Sequence, residues 1–98
     1  MEINKKKEGK DLTVEVSGRV DTVTAPEFEQ SVMGDLDGVE NLTVDLKNLE
    51  YMSSAGLRVM LALYKKMSTQ GSMVVTNVSD TISEIFEVTG FNDILNIQ

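Results

Sequence analysis

Two adjacent hydroxyls, Ser53 and Ser54, lie in the run Tyr51-Met52-Ser53-Ser54-Ala55-Gly56-Leu57-Arg58. An apolar stretch precedes them, and Leu57, Met60, Leu61, Tyr64 and Met67 follow at helical spacing with Arg58, Lys65 and Lys66 toward the opposite face. Serines at a strand-to-helix junction have two chemical uses. One is capping, in which a hydroxyl oxygen accepts from a first-turn N–H group. The other is to carry a phosphate, which the partner-free N–H groups and positive dipole end of a helix tolerate. Capping needs one hydroxyl, and two are present. Gly56, inside the first turn, lowers helix stability by about 1 kcal/mol relative to Ala. It either admits a docking surface to the backbone or packs closely against a strand of its own chain.

Asp21 and Thr22 form a second candidate. They follow the apolar alternation of Leu12-Thr13-Val14-Glu15-Val16, and they meet Ser53 and Ser54 if the two preceding strands run parallel, since open α/β sheets place sites at strand carboxyl ends. The plainer reading is a turn in which Asp21 and Thr22 satisfy backbone groups. Asp45 lies in an apolar strand and reads as an outward-facing alternate position. Met60 and Met67 fall on the helix stripe, whereas Met52, beside the serines, is a contact candidate.

Several chemistries are excluded by composition. The 98 residues contain no Cys and no His, which removes thiolate nucleophiles, disulfides, imidazole bases and the usual zinc ligands. No cofactor or metal is expected, and no Walker-type glycine loop is present. Nine basic against sixteen acidic residues give a net charge of −7, which opposes nonspecific binding to nucleic acid or anionic membrane. The first residues lack the apolar run of a signal peptide, so the chain is expected in the cytoplasm. Lys5-Lys6-Lys7 reads as a solvated strand edge.

The elements that position these residues follow from periodicity. A hairpin turns at Glu8-Gly9-Lys10-Asp11. Thr24 caps a first helix, with Pro26 in its first turn, Glu27 completing a capping box and Val23 stapled to Phe28; it ends between Gly34 and Gly38. A strand spans 42–47, with Asn48 and Leu49 opening a turn, and a helix spans about 54–69. Met73-Val74-Val75-Thr76 adds a strand, and Ser79 or Asp80 caps a last long helix through Ile82, Ile85, Phe86 and Val88, closed by Gly90 with Phe91 folding back. Ile94-Leu95-Asn96-Ile97 packs as a short helix or a further strand. One domain, 1–98, is expected: an α/β sandwich with a mixed sheet.

Gly18-Arg19-Val20-Asp21, Leu42-Thr43-Val44-Asp45-Leu46, Met52-Ser53-Ser54-Ala55-Gly56-Leu57 and Val88-Thr89-Gly90-Phe91 resemble, in order and spacing, a STAS domain of the bacterial anti-sigma-factor antagonist family. The resemblance covers essentially the whole chain and implies a mixed sheet of four to five strands with about four helices. It places the phosphoacceptor on Ser54, with Ser53 second, the loop glycine on Gly56 and the loop aspartate on Asp21. Many antagonists carry Asp before the acceptor and Ser after it; this chain has Ser53 and Ala55. The implied function is partner switching. The unmodified protein binds an anti-sigma factor that is also a serine kinase, phosphorylation from ATP releases it, and a PP2C-type phosphatase restores it. The chain is then a ligand and substrate, not an enzyme, and a monomer or weak dimer. Asp21, Thr22, Met52, Ser53, Ser54, Gly56 and Arg58 are the expected partner contacts. The alternative is a non-phosphorylated interaction or scaffold module of a transporter or signalling complex.

Overall fold

Alternation of β-branched and polar residues builds the sheet. A computed structural model describes residues 1–98. Strand β1 (Glu2–Glu8) turns through Gly9 and Lys10 into the antiparallel β2 (Asp11–Val20). Helix α1 (Ala25–Met33) leads to β3 (Asn41–Asp45), β4 (Leu49–Met52), α2 (Ser54–Ser68), β5 (Ser72–Thr76) and α3 (Asp80–Thr89), followed by a single 3-10 turn at Phe91–Asp93. The strands run β1-β2-β3-β5, with β4 also beside β2, and every pair except β1 with β2 is parallel.

Leu12, Val14 and Val16 of β2, Leu42 and Val44 of β3, and Met73 and Val75 of β5 are buried with Phe28 and Val32 of α1, Met60, Leu63 and Met67 of α2, and Ile82 and Phe86 of α3. The alternate strand residues, among them Thr13 and Thr43, line an open and wholly polar groove with Lys6, Glu8, Asp11 and Asn41. β1 is an edge strand, as its lysines suggest. Lys5 pairs with Asp35 and Lys6 with Glu8.

Gly18 divides β2. It has φ +82°, in the left-handed region that glycine adopts without strain, and the register shifts between Gly18 and Arg19. Before the bulge β2 pairs with β3 over Asp11 to Glu15; after it, Arg19 and Val20 pair with Tyr51 and Met52 of β4. One strand thereby holds both the central sheet and the short strand that ends at the serines.

The expected elements differ from the structure in five places. The fifth strand is β4, where a turn was expected at Asn48 and Leu49, and not the tail; Leu49 and Met52 are buried while Glu50 and Tyr51 are exposed, a pattern without period-2 alternation. The tail forms no fourth helix. Its Ile97 makes an isolated bridge to Val75, with Val75 N–H donating to Asn96 O and Gln98 N–H to Val75 O, each at 2.8 Å. Thr24 occupies the cap position of α1 but makes no capping bond, and no Val23 staple forms, because Val23 is 85% exposed. Val88 is 84% exposed rather than on the buried stripe of α3. Within α2, Leu61 and Tyr64 are only half-buried, and Val59 and Leu63 complete the core face instead.

Candidate functional site

Val20 and Met52 are paired last residues of parallel strands, so the segments that follow them leave the sheet side by side. Ser53 N–H donates to Val20 O at 2.8 Å, which fastens the start of α2 to the loop that begins at Asp21. The expected meeting of Asp21 and Thr22 with the two serines is therefore present.

Asp21 organises its own loop. Its Oδ1 accepts from Val23 N–H at 3.0 Å and Thr24 N–H at 3.1 Å, while Asp21 N–H donates to Thr24 Oγ1 at 2.9 Å. The Thr24 hydroxyl has Arg19 O at 3.0 Å and Asp21 Oδ1 at 3.2 Å within reach. The Thr24 N–H bond, joined by the Val23 N–H, the Thr24 hydroxyl and the Arg19 charge and opposed by desolvation, holds the Asp21 carboxyl below its ordinary 3.8. A lowered carboxylate pKa stabilises the folded chain above the unfolded value, and that contribution is lost as pH falls through the folded value. Asp21→Asn is therefore expected to be less stable than the parent at pH 7 and to approach it below about pH 4. Urea unfolding of both proteins at several pH values measures this, and a pH-independent gap would remove ionisation from the account.

The two serines differ in access. Ser53 is the extended residue before α2, with φ −84° and ψ 177°, and its carbonyl accepts from Leu57 N–H at 3.0 Å. Its hydroxyl caps nothing; Oγ is buried and has no hydrogen-bond partner. Ser54, the first helical residue, is exposed.

Gly56 is buried against the strand ends, where a Cβ would lie 2.6 Å from Met52 Cγ and 2.8 Å from Val20 Cγ1. Close packing within the chain accounts for it. Met52 is 1% exposed, so its expected role as a partner contact is corrected: its side chain fills the core under α2, because it closes β4 opposite Val20.

Thr22 and Arg58 are exposed and line an open groove of about 350 Å³ with Ala25, Pro26, Glu29, Ala55 and Val59, between the first turns of α1 and α2. Beside the serines, the Arg19 guanidinium lies 4.6 Å from the Tyr51 ring centroid. Arg19, Tyr51 and the exposed Val23 join the candidate surface only in the folded structure. Arg19 and Tyr51 meet only through β4, which periodicity did not reveal. No group of three or more His, Cys, Asp or Glu side chains is arranged to hold a metal ion, and no helix is long and apolar enough to cross a membrane.

Comparison with known proteins agrees with this geometry. The model of the STAS domain family matches residues 2–98. The anti-sigma-B factor antagonist of Bacillus subtilis is 29% identical over 96 residues, covering 97% of this chain and 88% of the relative. That of Staphylococcus aureus is 33% identical over 87 residues, covering 86% of this chain and 80% of the relative. The crystal structure of an anti-sigma factor antagonist from Mycobacterium paratuberculosis superposes with a TM-score of 0.88 at 26% identity, over 98% of this chain and 83% of that one. A matching family model across nearly every residue, together with these relatives, shows that the chain belongs to the STAS domain family, among the anti-sigma-factor antagonists.

Proposed function

We propose that this protein is a cytoplasmic partner switch: unmodified, it binds an anti-sigma factor that is also a serine kinase and so frees a sigma factor, and phosphorylation of Ser54 ends that binding until a PP2C-type phosphatase removes the phosphate. The observation that carries the choice of residue is the contrast in access between two neighbours. The Ser54 hydroxyl stands on an exposed residue at the start of α2, whereas Ser53 Oγ is buried and unpartnered. A kinase must reach the oxygen it esterifies, and of the two residues Ser54 is the exposed one. The protein serves as ligand and phosphate acceptor. The family relationship and the groove beside Ser54 support this reading, with Thr22 and Arg58 as partner contacts and Asp21 shaping the loop that presents them.

Incubation with the anti-sigma kinase of the same genome and ATP, followed by mapping of the modified residue, is the test. Ser54→Ala is expected to abolish phosphorylation and keep partner binding. Ser53→Ala is expected to be phosphorylated as the parent is and to fold as well, since removing an unpaired buried hydroxyl leaves no orphaned partner. Phosphate found on Ser53 would transfer the switch to that residue, and phosphate on neither would favour a scaffold module without a switch.

A further inference from the structure

Arg58 is a cation without an anion. The ion pairs of the molecule join Lys5 to Asp35, Lys6 to Glu8 and Lys10 to Glu40, and Arg58 takes part in none. It stands exposed on the α2 wall of the groove, four residues after Ser54. Residues four apart share a helix face, and helical side chains lean toward the N-terminus, which puts position 54 within the reach of an arginine at 58. An anion at position i with a cation at i+4 is also the favoured polarity of such a pair.

We infer that Arg58 is the intramolecular receptor of a phosphate on Ser54, drawing it along α2 onto the rim of the groove. This rests on Ser54 being the acceptor. A guanidinium offers paired N–H donors to phosphate oxygens, a geometry that an ammonium does not reproduce. Glu29 of α1 lines the same groove, and the Asp21 carboxylate lies in the adjoining loop with its Oδ1 engaged by Val23 and Thr24. With the phosphate beside Arg58, the groove changes from a wall of mixed sign, Arg58 with Glu29, to one in which the cation is occupied and the Glu29 carboxylate is left unopposed. Modification thereby withdraws Arg58 from any partner as well as adding charge.

The pairing is read from the phosphate itself. Phosphoserine is installed at position 54 during translation, so that no kinase is needed, and its second ionisation is followed by phosphorus NMR. The cation favours the dianion. Relative to the phosphorylated parent, Arg58→Gln is expected to raise the second pKa by about 0.2–0.4 unit. Arg58→Lys is expected to recover part of the shift, and Glu29→Gln to lower the value. Identical titrations for the parent and Arg58→Gln would overturn the pairing, and because Arg58 is exposed both proteins are expected to show the same urea midpoint before phosphate is installed. A kinase assay that leaves Ser54 unmodified would refute the acceptor assignment while the phosphorus titration still reports on Arg58, so the two failures are separable.

Discussion

Stoichiometric phosphorylation of Ser54 is expected to weaken binding to the anti-sigma partner by more than a hundredfold while leaving the fold unchanged. The modification adds about −1.5 to −2 charges at neutral pH. It adds them at the start of α2, beside a groove that already carries Glu29, on a chain of net charge −7. Burying such a charge in a packed interface against like charge is a matter of several kcal/mol, and a penalty of roughly 3 kcal/mol is already more than two decades in affinity. The fold has no reason to respond. Ser54 is exposed, its side chain supports no core contact, and the dipole at the start of a helix favours an anion. Calorimetric titration of the partner into the two forms measures the ratio, with thermal unfolding of each as the control. Ser54→Asp carries one charge and no tetrahedral bulk, so a smaller loss of about tenfold is expected from it. Affinities within threefold of each other for the parent and the phosphorylated protein would place Ser54 outside the interface.

The fold was legible wherever one residue pattern ran long enough to have a period. Leu12, Val14 and Val16 alternate and are buried in β2, and the helix spacing that begins at Leu57 and continues through Met60 to Met67 is realised in α2. Ser79 caps α3 by accepting from Ile82 N–H at 3.3 Å, and Gly90 closes it in the left-handed region. β4 escaped because four residues with both ends buried carry no period, and because its place is set by the bulge of β2 at Gly18, a long-range pairing. The errors at the site follow from that one omission. Without β4, Met52 had no partner to turn it inward and Tyr51 had no Arg19 beside it. The choice between the serines likewise depends on the tertiary setting of the junction, where Ser53 N–H is bonded to Val20 O and Ser53 Oγ is buried while Ser54 is exposed. The capping box at Thr24 failed for a local reason. Asp21 reached the Val23 and Thr24 N–H groups, and the Thr24 hydroxyl was engaged by Asp21 N–H.

Gly71→Ala is expected to destabilise the protein by at least about 3 kcal/mol, above the usual range for an added methyl group in a packed site. Gly71 joins α2 to β5, and a Cβ there would lie 1.8 Å from Glu40 O, 2.6 Å from Glu40 C and 2.8 Å from Glu40 Cα. All three are backbone atoms, so no rotamer relieves the overlap. Nor can the Glu40 peptide retreat freely. Its carbonyl accepts from Ser72 N–H at 2.8 Å, and its N–H donates to Lys10 O at 2.8 Å, fixing it between β5 and the hairpin. The preceding Gln70 is held as well, its Nε2 donating to Leu36 O at 2.7 Å and Val39 O at 2.6 Å. Moving Glu40 would break the first rung of the β3–β5 ladder, Asn41 with Ser72, on which the parallel sheet registers. Gly56→Ala makes a useful contrast. Its added Cβ meets side chains, Met52 Cγ at 2.6 Å and Val20 Cγ1 at 2.8 Å. Side chains can shift where a peptide cannot, although Met52 and Val20 are both buried, and Ala in the first turn of α2 recovers up to about 1 kcal/mol of helix propensity, so a net loss of about 1–2 kcal/mol is expected. At about 4–8 °C per kcal/mol for a domain of this size, Gly71→Ala should melt at least about 12 °C below the parent, with Gly56→Ala between the two. Thermal and urea unfolding of the three proteins decide the order. If Gly56→Ala were the less stable variant, the Glu40 backbone would not be the rigid wall that this geometry makes it.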